Sequence, residues 1–92
     1  MREFSFDITS ADHNSLARTG VFHTPHGVIH TPAFIPVGTN ASVRAMPPHE
    51  LKALGVEAVL ANTYHLTLRP GADTVAKLGG LHNFMRWPGP II

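Results

Sequence analysis

No cysteine occurs among the 92 residues. Disulfides are therefore excluded, and so is a thiolate zinc site built from this chain alone. No apolar run approaches the roughly 18 residues that a membrane-spanning helix needs. The amino terminus, Met1-Arg2-Glu3-Phe4-Ser5-Phe6-Asp7, lacks the apolar stretch of a secretory signal. The expectation is a cytoplasmic protein with no membrane partner. An excess of charge of one sign is missing too: seven Lys and Arg stand against six Asp and Glu, a formal net charge of +1. The charge balance thus announces no polyanionic partner, although a basic surface confined to another part of a longer chain would not show in it. What is present is an apolar fraction of 43% with only 14% charged residues, a globular composition rather than a disordered one.

Along the chain, residues 2–9 alternate, with Phe4, Phe6 and Ile8 on one side and Glu3, Ser5 and Asp7 on the other. Period two predicts a half-buried strand. Residues 10–15 are polar and predict a loop. Two further extended runs follow at 17–24 and 27–30. Between them Thr24-Pro25-His26-Gly27 places proline second and glycine fourth, as a type I turn favours. A small antiparallel sheet over residues 1–31 is expected.

The pattern changes at Thr31. Pro32-Ala33-Phe34-Ile35-Pro36-Val37 is apolar at every position and ends at Gly38-Thr39, which predicts a strand buried on both faces, weakened by its two prolines. Pro48 at a first helical turn and Gly55 at a stop bracket a helix with Leu51 and Leu54 on one face. Val56-Glu57-Ala58-Val59-Leu60-Ala61 predicts a second buried strand. Residues 72–78 form a helix candidate halted by Gly79-Gly80, residues 81–85 another helical turn, and Pro90-Ile91-Ile92 the opening of a third strand. Strand, helix, strand, helix, strand is the alternation of a parallel α/β sheet or barrel. A complete (β/α)₈ barrel needs on the order of 250 residues, so residues 32–92 are expected to be only its first units.

Parallel α/β folds place their ligands at the carboxyl ends of the strands. Two polar clusters fall there: Val37-Gly38-Thr39-Asn40 and Asn62-Thr63-Tyr64-His65. Asn62 both donates and accepts, which suits a base edge or a ribose hydroxyl, and Gly38 permits close backbone approach. Taken alone, Asn62, Thr63 and His65 are better read as residues that end a strand and satisfy loop backbone groups. The seven histidines are scattered. Only His26 and His30 are four apart, and they fall in predicted strand, so no zinc motif is read. Phe84 and Trp87 are read as core, and Arg69 as the partner of a carboxylate or a carbonyl.

These motifs in this order resemble the tRNA-guanine transglycosylase family of bacterial type. The resemblance rests on Pro25-His26-Gly27, on Thr31 through Thr39, on Asn62-Thr63-Tyr64-His65-Leu66, on Leu68-Arg69-Pro70-Gly71, on Gly80-Leu81-His82-Asn83-Phe84-Met85 and on Trp87. It runs from about Phe4 to Ile92, and the stretch from Asn62 to Gly71 is its most specific part. The resemblance implies an N-terminal fragment of a TIM barrel preceded by a small antiparallel sheet. It implies a nucleophilic aspartate just after Ile92, so no catalytic residue and no cofactor within the chain, and a structural zinc in a C-terminal part. The activity implied is exchange of guanine at the tRNA wobble position for a 7-deazaguanine, through a covalent aspartate–ribose intermediate, by a homodimeric enzyme.

Carried over to this chain, Val37 and Leu60 look like apolar walls near a ribose, Asn62 like a polar neighbour of the nucleophile, and His65 like part of the network behind it. Gly38, Thr63 and Tyr64 complete the expected substrate pocket. Some positions depart from the family pattern. Ala61 stands where glycine is common, Arg44 replaces a common lysine, Ser15-Leu16-Ala17-Arg18 replaces a more usual Gly-Arg-Ala-Arg, and Pro47 replaces a Ser or Thr cap, which predicts a less well capped helix. An archaeal-type transglycosylase and a non-catalytic homologue that binds an active subunit remain alternatives. The aspartate after Ile92 separates the last of these from the first reading.

Overall fold

A computed structural model of the chain describes residues 3–92. Three strands form an antiparallel sheet in the order β1-β2-β3: β1 (Ser5–Ala11), β2 (Arg18–Thr24) and β3 (Gly27–Thr31). The expected first strand thus begins and ends later than its alternation suggested, and its outermost position, Arg2, lies outside the described residues. A register shift between Ile8 and Ser10 marks a bulge where β1 pairs with β2. Phe4 and Phe22 lie side by side with ring centroids 6.3 Å apart. Thr24 and Gly27 are cross-strand partners, so Pro25 and His26 form the hairpin tip. The Thr24 hydroxyl fastens that tip, donating to the Gly27 carbonyl at 2.7 Å and accepting from the His26 amide at 3.2 Å.

Beyond Thr31 the expected parallel arrangement is present but abbreviated. Val37 pairs in parallel with Leu60, and Val59 pairs in parallel with Ile91. The Leu60 amide donates to the Pro36 carbonyl at 2.9 Å and the Gly38 amide to the Leu60 carbonyl at 2.6 Å. On the other side the Ile92 amide donates to Val59, and the Ala61 amide to Ile92. Three short segments therefore lie side by side in chain order. They are isolated bridges rather than full strands. Prolines at 32, 36 and 90 bring no amide hydrogens to a ladder. The first segment also departs from the expectation of burial on both faces. Phe34 is 82% exposed and Val37 54%.

Four short helices connect these segments: α1 (Pro48–Ala53), α2 (Thr63–Leu68), α3 (Ala72–Lys77) and α4 (Leu81–Met85). The start of α1 is uncapped by any side chain, as Pro47 predicted, with Pro48 in its first turn. Its end is a Schellman motif. The Gly55 amide donates to Lys52 and the Val56 amide to Leu51, both at 3.0 Å. Gly55 sits at φ +85°, and a side chain there would meet nothing within 4 Å. Gly55→Ala is therefore expected to cost about 1 kcal/mol, from left-handed backbone strain rather than crowding. A lowered melting temperature of the full-length protein checks it, and an unchanged one contradicts it.

One side of the parallel segments carries the core. Leu51 from α1, Val59 from the second segment, Met85 from α4, Ala41 and Trp87 are buried together, with Val56, Leu66, Phe84 and Ile91 packed against them. Trp87 and Phe84 are thus core residues, as expected. Arg69 is exposed, and its side chain has no hydrogen-bond or ion-pair partner among the described residues.

Candidate functional site

Side chains alternate across each parallel segment. Val59 and Ile91 face the helix-covered core. Leu60 and its partner Val37 must then face the opposite way, together with Ile92, which lies across from Leu60. Val37 and Ile92 are more than half exposed and Leu60 is half-buried. Val37, Leu60 and Ile92 thus form an apolar row on the uncovered face, close to the carboxyl ends of the segments. Ile92 was not among the expected pocket residues. Its parity with Leu60 could have found it once the pairing was known.

Asn62 is extended at φ −121° and ψ 119°, and it is the N-cap of α2. Its Oδ1 accepts from the Tyr64 amide at 2.9 Å and from the His65 amide at 3.4 Å. A helix begins here because asparagine satisfies the orphan amides of a first turn. The cap explains a helix that alternation did not reveal, since the 62–65 cluster was read as a strand end and loop. The side-chain amide nitrogen of Asn62 has no partner among the described residues. Thr63, Tyr64 and His65 form the exposed first turn of α2, with the Tyr64 and His65 rings edge to face at 5.6 Å. The Thr63 carbonyl accepts from the Thr67 hydroxyl at 2.8 Å. The His65 ring makes no hydrogen bond among the described residues.

Gly38 is buried. A Cβ placed on it would meet the Met85 methyl at 3.2 Å and the Leu60 carbonyl at 3.5 Å. Its missing side chain admits α4 to the sheet, so packing accounts for the glycine independently of any ligand. Beside it a small hollow of about 210 Å³ is lined by Val37, Thr39, Asn40, Ser42 and Arg44. The structure therefore brings Val37, Gly38 and Leu60 into one paired unit and sets Asn62 through His65 immediately beyond it.

The antiparallel sheet is tied to this unit by histidines. Glu57 accepts the His30 amide at 2.8 Å through Oε1 and contacts His30 Nδ1 at 2.7 Å through Oε2. Burial pushes the Glu57 carboxyl up, but the hydrogen bonds and charge of His30 outweigh it and hold the group below its usual value. A lowered carboxylate pKa means that the unfolded chain binds the proton first. The contribution is thus fully present above about pH 4.5 and lost as pH falls through the lowered value. Glu57→Gln should be less stable than wild type at pH 7, and the difference should close in acid. Urea midpoints measured from pH 7 to pH 3 check this, and parallel curves would contradict it.

Among the described residues, no three His, Cys, Asp or Glu side chains come together as a metal site would need. These residues do not fit a zinc centre.

A profile described as "TGT: Queuine tRNA-ribosyltransferase" matches residues 12–92. The chain belongs to the queuine tRNA-ribosyltransferase family. Proteins with that name share 54% identity over 88 residues in Gloeobacter violaceus and 52% over all 92 in Herpetosiphon aurantiacus. A queuine tRNA-ribosyltransferase of Thermosynechococcus vestitus shares 60% over 76 residues, which is 83% of this chain. The alignments take up 96% of this chain for the Gloeobacter protein and 100% for the Herpetosiphon protein, but only 23% of either relative. The chain thus spans about a quarter of the length of the family members it matches.

Proposed function

We propose that the protein containing these residues is a tRNA-guanine transglycosylase, which replaces guanine at the wobble position of a tRNA with a 7-deazaguanine in queuosine biosynthesis. The observation that carries this is the convergence of three parallel carboxyl ends, in a member of this family, with Ile92 hydrogen-bonded to Ala61, the residue before Asn62. A nucleophilic aspartate following Ile92 would attack the ribose anomeric carbon as the guanine bond breaks. The incoming base would then displace the carboxylate from the same carbon, the double-displacement logic of retaining glycosidases. A second carboxylate would assist the proton transfers. The target base must leave its stack to reach such a site. In this reading Val37 and Leu60 wall the ribose, Gly38 keeps the wall close, and Asn62 with Thr63, Tyr64 and His65 supplies the polar rim. The rest of the reading is a TIM barrel completed by the remaining polypeptide, a zinc centre there, a homodimer and a cytoplasmic location.

Incubating the full-length protein with unmodified tRNA and labelled guanine tests the function. Time-dependent incorporation supports it. No incorporation favours a non-catalytic homologue. Residues 1–92 alone are expected to incorporate none. Their acids, Glu3, Asp7, Asp12, Glu50, Glu57 and Asp73, lie in or beside the sheet, in helices or on the segment that His30 holds, and none is in the 37–40 or 62–65 cluster.

A further inference from the structure

The hairpin tip between β2 and β3 rests on α4 through two imidazoles. The rings of His26 and His82 are stacked, with centroids 3.6 Å apart and planes 13° from parallel. His82 Nε2 is buried and has no hydrogen-bond partner among the described residues. The hollow beside the stack is lined by Lys52 from α1, by Glu57, and by residues 87–90 of the loop that feeds the third parallel segment. Arg86 lines a second hollow together with His82. The charged groups lining these two hollows are two cations and one carboxylate, and that carboxylate is already held by His30. No carboxylate oxygen among the described residues lies within 4.0 Å of a ring nitrogen of either histidine.

We infer that the His26–His82 stack is an acid-sensitive latch, which holds the hairpin tip on the loop at residues 87–90 when both rings are neutral and releases it when either is protonated. A proton on His82 Nε2 places a charge on a buried nitrogen that has no partner among the described residues. A second proton adds direct repulsion at 3.6 Å. Burial, with the nearby His26 second, holds His82 below the ordinary imidazole value, and the Gly89 backbone opposes the shift. The sign agrees: docking is complete above about pH 6.5 and weakens as pH falls below it. The His30–Glu57 contact responds the other way, because a proton on His30 adds a charge 2.7 Å from a carboxylate oxygen. Acid therefore frees the tip while the other end of β3 stays fastened, and the loop leading to Ile92 loses its cover.

Amide hydrogen exchange of the full-length protein between pH 7.5 and 5.5, corrected for the intrinsic pH dependence of exchange, tests the latch. Protection at residues 22–28 is expected to fall at least tenfold across that range, while β1 and the far half of β2 keep theirs. The His26→Phe/His82→Phe double variant keeps two flat rings and leaves no protonatable nitrogen in the stack, so protection of the tip should become independent of pH. A flat wild-type profile overturns the inference, and so does an acid loss in the folded double variant as large as that of wild type. If the double variant fails to fold, the wild-type profile still decides.

Discussion

Replacing Trp87 by alanine is expected to destabilise the protein by about 3–5 kcal/mol, the range for truncating a large buried aromatic. Trp87 is only 2% exposed and lies among Leu51, Val59 and Met85. Each comes from a different element, so the cavity left behind would open at the junction of α1, α4 and the second parallel segment. The indole also donates from Nε1 to the Pro90 carbonyl at 3.1 Å. That carbonyl accepts the Val59 amide as well, at 3.2 Å, so it is not orphaned when the indole is lost. Trp87→Phe should accordingly cost much less than alanine, about 1–2 kcal/mol for the lost hydrogen bond and partial volume. Urea denaturation of the full-length protein and both variants checks the order. Equal stability of wild type and Trp87→Ala would mean that the tryptophan is not the centre of this core.

Much of the fold was readable because its signals are local. Alternation and the Thr24-Pro25-His26-Gly27 turn marked the three-stranded sheet. Gly55 and the Gly79-Gly80 pair marked two helix ends, since left-handed backbone positions select glycine. The shortfall came where structure depends on partners distant in sequence. The apolar run at residues 32–37 looked buried on both sides, yet Phe34 is largely exposed, because burial is decided by what covers a face and not by the residues on it. The 62–65 cluster hid a helix, because α2 is only six residues long, too short for periodicity to declare itself. Its one signal was Asn62 as a cap. The pocket positions are proposed from resemblance, whereas the common face of Val37 and Leu60 is visible only from the pairing of Val37 with Leu60 and of Val59 with Ile91. The stacking of His26 on His82, 56 positions apart in the chain, had no sequence signal at all.

Asn62 is expected to show a split between its two side-chain atoms. Oδ1 is committed to the first turn of α2 through the Tyr64 and His65 amides. The amide nitrogen is free among the described residues, and it sits one residue beyond the Ala61–Ile92 hydrogen bond, where the proposed nucleophile would emerge. Asn62→Ala removes both functions in the full-length enzyme. The lost cap should cost about 1 kcal/mol of stability. The lost donor, if it positions the carboxylate or a ribose hydroxyl, should raise the barrier by roughly 2–4 kcal/mol, as removal of a single positioned donor does. Asn62→Asp separates the two. Aspartate caps as well as asparagine, and its charge suits a helix start, so melting temperature should return to the wild-type value. It cannot donate, however, and it sets a like charge near the nucleophile, so kcat should stay as low as in the alanine variant or fall further. The tRNA Kd, spread over many backbone contacts, should change little in either. Were Asn62 only a helix cap, aspartate would restore kcat together with melting temperature. Wild-type kcat in Asn62→Asp would therefore remove Asn62 from the proposed pocket.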